Sequence, residues 1–366
     1  MAHSALSAFV ALASLTLVAG QTTPAPAAPN TQPTFPATPL SDIPVTYSDI
    51  PYQVITSTYA RGTQSGYNLC NSTTQNQNSE CQTLIVNSIF DFCLYAPGQP
   101  NSTISDTEGE EVAWCTTKNH GSRGIPPGTF TGLQVLRTAD YLQFVGFINQ
   151  ANVNIQPGDF GGELDGGGQD GLGNPIGAEV FSTAFSSDNS TYQHTSQWNV
   201  FIGGNQVGIK VCNPAGSNPA GYCQHTLDRI GLIYNMPNQA ANGTFEVCDS
   251  APMDIPGVYT SGGQTLSYSQ PAESLGPITS IPYTPRIPSS SNCQTYQSSQ
   301  IFTDFASLAP STTAASPTGT GASKNSGTRA GSAASASATG SNGAGTVTIS
   351  LFSTILGVAF SFAFLA

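Results

Sequence analysis

Charged side chains are scarce in this sequence of 366 residues. They make up 8% of the chain, and 9 lysines and arginines stand against 21 acids. A typical soluble domain has about 25% charged residues, so uncharged polar groups must solvate much of this surface. The net charge of -12 disfavours nucleic acid as a partner, because a phosphate backbone requires a basic face. The sequence also has no long run of helical periodicity, which excludes a long coiled coil.

The sequence also lacks the motifs of several enzyme classes. It contains neither the HExxH motif of zinc proteases nor the GxSxG elbow that presents a nucleophilic serine. No two cysteines have the CxxC spacing of a structural zinc site. Enzymatic activity is therefore left uncertain, and the sequence favours a protein that is not an enzyme.

Two segments of biased composition precede the central part of the chain. Residues 1–20 are mostly apolar and end in small side chains, which predicts a signal peptide that is cleaved before Gln21. Residues 21–46 are rich in Pro and Thr, and this composition favours an extended, polyproline-like linker.

Two further segments follow the central part. Residues 301–346 are dominated by Ser, Thr, Ala and Gly and have too few apolar side chains to offset the ordering entropy, which predicts an O-glycosylated stalk. Residues 347–366 are hydrophobic and uncharged and follow small residues, so we expect a GPI signal, with attachment at Asn342 and a membrane contact through the lipid. The competing attachment sites are Gly340, Ser341 and Gly343. A single membrane span is the alternative, disfavoured because no cation follows the apolar segment.

Cysteines and glycosylation sequons indicate the compartment. The eight cysteines all lie in the central part, and their even number predicts four disulfides whose pairing the sequence leaves open. They are Cys70, Cys81, Cys93, Cys115, Cys212, Cys223, Cys248 and Cys293. Four sequons beside polar turn residues predict N-glycosylated surface loops at Asn71, Asn101, Asn189 and Asn242. Together these features predict an extracellular surface glycoprotein.

Residues 47–300 are predicted to form one folded head. Short runs rich in β-branched and aromatic residues alternate with Gly, Pro and Asn turns, which predicts a mainly β, disulfide-stapled sandwich or barrel-like domain with many loops. The predicted strands are 82–87, 112–115, 133–137, 141–148, 180–185, 198–202, 207–212 and 232–235. The best helical candidate is the short segment 224–230.

The Gly-rich segment 157–177 carries four acids that could ligate a metal ion. They are Asp159, Glu163, Asp165 and Asp170. Several carboxylates on a flexible backbone suit Ca²⁺, which takes six to eight oxygen ligands, although the spacing does not match an EF-hand. Two other interpretations stay open: a carbohydrate-active enzyme or calcium-assisted carbohydrate-binding module that uses the acids from Asp159 to Asp170, or a turn-rich loop whose acids bond neighbouring backbone N–H groups.

Two smaller polar clusters are assigned structural roles. One precedes the strand at 112–115, is interpreted as a solvated charged edge, and consists of Asp106, Glu108, Glu110 and Glu111. The other is His225 with Asp228, which would share a face if 224–230 were helical. A hydrogen-bonded structural histidine is favoured over a catalytic base.

Long blocks of the central part resemble a fungal family of GPI-anchored mannoproteins, also called macrophage-activating glycoproteins or immunoreactive mannoproteins. The blocks are YSDIPYQV, GYNLCNSTTQNQNSECQT, NSIFDFCLYAPG, EEVAWCTTKNHGSR, FTGLQVLRTADYLQFVG, GDFGGELDGGGQDGLGNPIG and CQHTLDRIG. The resemblance implies a heavily mannosylated protein of the plasma membrane and cell wall with a structural or interaction role. It implies cell-wall polysaccharide or host lectin-type receptors as partners through the glycans, and it carries over no catalytic residue.

The chain departs from the family pattern at two places. The family often has ELDPHGAD where this chain has ELDGGGQD at 163–170, so an imidazole is missing at Gly167. This difference disfavours a metal site that includes an imidazole ligand. The family also has cysteines where this chain has Gly208 and Leu232, and their joint loss predicts that the two segments are neighbours in the fold.

Overall fold

The computed structural model describes residues 33–308. The predicted signal peptide, residues 21–32 of the Pro/Thr-rich linker, the stalk beyond 308 and the hydrophobic tail with Asn342 lie outside the described residues. Within 33–308 every α-helix is a single short turn, and no helix has the length and apolar character needed to cross a bilayer.

Residues 33–308 are mainly β, with four short α-helices. In chain order the strands are β1 (Thr83–Ser88), β2 (Asp91–Ala96), β3 (Val112–Cys115), β4 (Arg123–Gly124), β5 (Phe130–Arg137), β6 (Tyr141–Ile148), β7 (Gly162–Asp165), β8 (Glu179–Ser182), β9 (Gln193–His194), β10 (Trp198–Gly203), β11 (Gln206–Cys212), β12 (Phe245–Ser250), β13 (Val258–Ser261), β14 (Gln264–Ser267) and β15 (Ser290–Tyr296). The helices are α1 (Ile104–Thr107), α2 (Pro219–Tyr222), α3 (Leu232–Asn235) and α4 (Ser298–Ile301).

The strands form two large sheets and one hairpin. The first sheet has the order β4-β3-β2-β1-β8-β9, and the second has the order β15-β12-β5-β6-β11-β10-β7. Strands β13 and β14 form the separate hairpin. Most neighbours are antiparallel, but β1 with β8, β3 with β4, and β5 with β12 are parallel pairs.

The two large sheets pack face to face around one core. The ring centroids of Phe92 on β2 and Phe144 on β6 lie 5.0 Å apart, and those of Tyr95 on β2 and Trp198 on β10 lie 5.4 Å apart. Both sheets stay open, with β4, β9, β7 and β15 at their edges. The fold is therefore the predicted sandwich, and the barrel-like alternative is wrong because neither sheet closes on itself.

Strand β6 shows how the sequence builds the second sheet. Side chains alternate between the faces of a strand, and Leu142 and Phe144 accordingly lie in the main core. Val145 lies on the opposite face, where it is buried beside Met236 and the half-buried Leu232. The second sheet is therefore covered on both faces at this point, by the first sheet on one side and by the α3 region on the other.

Four disulfides join all eight cysteines, as predicted. The pairs are Cys70–Cys81, Cys93–Cys115, Cys212–Cys223 and Cys248–Cys293. No cysteine is free. Each bond closes a short stretch of chain, with a sequence separation between 11 and 45 residues, and two of them link neighbouring strands.

Two predicted elements are wrong. The segment 232–235 is the helix α3 rather than a strand: Gly231 precedes it with φ 77°, and the N–H of Met236 donates to the carbonyl of Leu232. The segment 224–230 has only a 3₁₀ turn at Asp228–Ile230, because the side chain of Gln224 accepts the N–H of Thr226 and closes a local turn instead. Leu232 nevertheless lies against Gly208, which confirms that these two segments are neighbours.

The packed region extends beyond 47–300 at both ends. Leu40 is buried, and its N–H donates to the carbonyl of Gly171. At the other end Ile301, Phe302 and Phe305 are buried. These side chains belong to segments whose composition predicts a linker and a stalk, so the described parts of both segments contribute to the folded head.

Candidate functional site

The four acids predicted as metal ligands are held by separate partners. The carboxylate of Asp159 accepts the N–H of Ile104, at the start of α1. Asp170 receives two hydrogen bonds from the guanidinium of Arg61, of 2.9 Å and 3.1 Å, and accepts the N–H of Leu172. These two carboxylates therefore act at different places in the fold, one at a helix terminus and one in a largely buried ion pair.

The other two acids lie on one face of the edge strand β7. Glu163 and Asp165 are 8% and 5% exposed. Asn199 on the adjacent β10 donates to Glu163 through its amide nitrogen at 3.0 Å. Asp165 accepts the N–H groups of Gly167 and Gly168, both at 2.7 Å, as expected for an acid that organises a Gly-rich turn.

The four carboxylates do not form an oxygen cage. Among residues 33–308, no three of these acids bring one oxygen each within 4.8 Å of one another. Glu246, Cys248 and Cys293 converge to that extent, but the two cysteines are joined in a disulfide. The interpretation in which the acids bond backbone N–H groups describes Asp159, Asp165 and Asp170 best, and calcium binding by the loop stays a prediction.

A layer of buried polar groups surrounds Glu163. Burial raises the pKa of Glu163 well above its ordinary value, and the charge of Asp165 adds to this effect. Lys210 on β11 lies directly opposite Asn199 on β10. Its Nζ donates to the carbonyls of Tyr222 and Asn235. Burial lowers the pKa of Lys210 to about 7. Burial thus shifts the equilibrium of both groups toward the uncharged form, which reduces the cost of enclosing them.

The three histidines of the described region each lie beside a carboxylate. His120 Nε2 is 2.5 Å from Asp91 and His194 Nε2 is 2.7 Å from Glu179. His225 Nδ1 is 3.2 Å from Asp165, whereas the pairing with Asp228 was expected only if 224–230 were helical. The condition is not met, because 224–230 has only the 3₁₀ turn at Asp228–Ile230. The hydrogen-bonded structural role favoured for His225 stays a prediction.

The acidic cluster before β3 is only partly solvated. Glu110 is exposed, but Glu111 is fully buried and accepts a hydrogen bond from Thr107 at 3.0 Å. Burial raises the pKa of Glu111 well above its ordinary value. The solvated interpretation is therefore wrong for Glu111, whose side chain turns inward at the start of the strand.

A cleft that the sequence analysis did not predict has a volume of about 680 Å³. It lies between the β1–β2 turn, the loop 183–192 and the strands β5, β12 and β15. The lining side chains include Asn87, Phe90, Asp91, Arg137, Tyr192 and Tyr296. One sequence signal could have indicated it: the two-residue turn between β1 and β2 is Ile-Phe, whereas hairpin turns ordinarily contain Gly, Asn or Asp.

All four sequon asparagines lie on the surface. Asn71, Asn101, Asn189 and Asn242 are exposed, and none of them belongs to a strand or helix. Asn101 and Asn189 have positive φ angles of 61° and 51°, a conformation that asparagine tolerates better than most residues. Each side chain amide is therefore sterically available for modification.

Comparison with known proteins gives two informative relatives, both from Mycosarcoma maydis. Appressorium protein ROW1 is 40% identical over 230 residues, which are 63% of this chain and 51% of ROW1, so the chain spans about half the length of that relative. Appressorium protein ROW2 is 33% identical over 258 residues, which are 69% of this chain and 84% of ROW2. No protein-family model and no solved structure matches the chain. The chain belongs to the family of the fungal appressorium proteins ROW1 and ROW2.

Proposed function

We propose that this protein is an N-glycosylated, GPI-anchored mannoprotein of the fungal cell surface and cell wall, with a structural or interaction role. Its glycans would be the groups that meet wall polysaccharide or lectin-type receptors. The observation that carries the proposal is the exposure of all four sequon asparagines on turns of a disulfide-bonded sandwich.

Three further features support the proposal. Four disulfides with no free thiol fit a protein that folds in an oxidising compartment. The two relatives are named for the appressorium, a fungal infection structure, and a surface location agrees with that name. The composition of residues 340–366, small residues followed by an uncharged apolar stretch, fits lipid attachment at Asn342.

Glycosylation is tested on the full chain produced in a eukaryotic secretory host. Treatment with an endoglycosidase specific for high-mannose chains should lower the mass in four steps. Single Asn→Gln variants at the four sequons should each remove one step, and Asn76→Gln, which changes an exposed loop asparagine outside any sequon, should remove none. A wild-type mass equal to that of the enzyme-treated protein would refute this part of the proposal.

Anchoring is tested with the same chain in intact cells. Phosphatidylinositol-specific phospholipase C should release the protein from the surface, and a variant truncated after Thr346 should appear in the medium without the enzyme. Recovery of an intact peptide that spans 340–366 from surface-bound protein would contradict lipid attachment at Asn342, because attachment removes that tail.

A further inference from the structure

The cleft beside the β1–β2 turn contains aromatic rings held in fixed orientations. Phe90 is 40% exposed, and its ring meets the ring of Tyr296 edge to face, with the centroids 5.0 Å apart. Tyr192 lies against Tyr47 with the centroids 4.0 Å apart. Paired rings of this kind keep their positions, so the cleft offers preformed apolar faces to a ligand.

Polar side chains beside these rings are also held in place. Asp91 lies 2.5 Å from His120 Nε2 and accepts a 2.7 Å hydrogen bond from the amide of Asn87. The amide oxygen of Asn87 accepts the N–H of Thr183 at 2.8 Å. Burial opposes ionisation of Asp91, but the hydrogen bonds from His120, Asn87 and Thr117 lower its pKa below the ordinary value. The cleft thus presents an ordered carboxylate that is 30% exposed and can still accept hydrogen bonds.

The charged side chains of the cleft already have partners within the protein. Arg137 donates to Asp249 at 2.9 Å and keeps further N–H donors, since its side chain is 56% exposed. Asp91 is hydrogen-bonded to His120, Asn87 and Thr117. A strongly charged ligand would have to compete with these pairs, whereas a neutral ligand rich in hydroxyl groups can bond to both charged side chains without displacing their partners.

We propose that this cleft binds a short neutral oligosaccharide. The C–H faces of sugar rings would pack on Phe90, Tyr192 and Tyr296, and the hydroxyl groups would bond to Asp91 and Arg137. The volume of about 680 Å³ lies within the range of about 300–1,000 Å³ that is typical of small-ligand sites. The acidic loop 157–177 takes no part in this site.

The saccharide could come from either of two sources. Asn189 lies on the rim of the cleft, so a glycan attached to its sequon could fold back into the cleft. A separate glycan of the cell wall could enter instead. This distinction rests on the proposed glycosylation, but binding itself does not, because the rings and polar groups of the cleft belong to the protein.

The experiment measures binding of mannotriose, laminaritriose and chitotriose to the full-length protein by calorimetry. The forms compared are the wild type, Asn189→Gln, and each of these with Phe90→Ala. We expect at least one trisaccharide to bind and Phe90→Ala to weaken its binding at least tenfold. Phe160→Ala is the matched control because Phe160 is 83% exposed and lies outside this cleft, and it should leave the affinity unchanged.

Two additional variants separate recognition from folding. Phe90→Tyr keeps an aromatic face and should retain binding, and Arg137→Gln should weaken it while thermal unfolding stays cooperative. Binding to Asn189→Gln alone would identify the protein's own glycan as the occupant, and equal binding to both forms would identify a separate glycan. No binding to either form, or equal affinities for the Phe90→Ala and Phe160→Ala variants, overturns the proposal. Absence of a glycan at Asn189 with retained binding would refute only the glycosylation of that sequon.

Discussion

The side chain of Leu232 lies directly over Gly208. A Cβ built on Gly208 would be 2.2 Å from Cδ1 of Leu232 and 3.6 Å from its Cγ. Gly208 lies on β11 and Leu232 begins α3, so this contact holds the helix against the outer face of the second sheet. The absence of a side chain at position 208 is what lets the helix approach so closely.

We predict that the double variant Gly208→Cys/Leu232→Cys forms a fifth disulfide. Since one C–C bond of about 1.5 Å joins Cγ to Cβ, the two Cβ atoms would be at most about 5 Å apart, and a small adjustment reaches the roughly 3.5–4.5 Å that a disulfide requires. The intact mass of the double variant should be lower, by two hydrogen atoms, than the mass expected with free thiols at positions 208 and 232. The closed loop should raise the free energy of unfolding by about 3 kcal/mol. Each single variant, which adds one unpaired cysteine, serves as the reference for a free thiol. Two free thiols in the folded double variant would contradict this geometry.

The ion pair between Arg61 and Asp170 should be a major stabilising contact of the acidic loop. The two side chains are 24% and 10% exposed, and Arg61 also donates to the side chain of Asn174 and the carbonyl of Gly173. Arg61→Ala leaves the Asp170 carboxylate without its cation and should lower the free energy of unfolding by about 3 kcal/mol.

The exposed pair of Arg286 and Asp254 provides the control for that measurement. Their side chains are 52% and 55% exposed, at a comparable distance of 2.7 Å. Arg286→Ala should therefore cost less than about 1 kcal/mol in the same urea titration. Equal losses for the two arginine variants would show that burial does not strengthen the Arg61 pair.

Local composition predicted several strands that contain β-branched and aromatic residues. The bounds of β3 and β6 were predicted as observed, and those of β10 and β11 to within one residue at one end. Strand β2 was missed because its sequence DFCLYA contains no β-branched residue. Strand β15, SSNCQTY, was missed because it is a polar, exposed edge strand. The four residues of α3 are too few to display any period.

The candidate sites depend on contacts between distant segments, which local patterns do not encode. Arg61 and Asp170 are separated by 109 positions, and Gln134 meets Glu246 across 112. The sequence did predict that the acids of 157–177 could bond backbone N–H groups, which is a local property of turns. It could not predict which acids turn inward, because the burial of Glu111 and Glu163 follows from the packing of whole sheets.

Glu163→Gln should stabilise the protein at neutral pH. The raised pKa means that folding takes up a proton at Glu163, so the wild type loses stability as pH rises above about 4.5, its ordinary value in the unfolded chain. Glutamine removes this dependence, and its amide can donate to the unpaired oxygen of Asn199. We expect a gain of about 1 to 3 kcal/mol at pH 7 that disappears near pH 4. Urea unfolding at both pH values measures this difference in the free energy of unfolding, and the exposed Glu110→Gln is the control. A gain independent of pH would disprove the protonation argument.

Calcium addition distinguishes the metal-site interpretation of the acidic loop from the interpretation in which its acids bond backbone N–H groups. Asp170 is already bonded to Arg61, Asp165 to two backbone N–H groups, and Asp159 to the N–H of Ile104, so a cation would have to displace existing partners. We therefore expect the melting temperature of the full-length protein to be the same in millimolar CaCl₂ and in EDTA. A ligand that binds the folded state alone stabilises it by RT ln(1 + [L]/Kd), or about 2.7 kcal/mol at a hundredfold excess over Kd, which a melting curve resolves readily. A shift of that size in the wild type, lost in Asp165→Asn but kept in Asp254→Asn, would establish the loop as a calcium site and would require Asp165 to exchange its N–H partners for the ion.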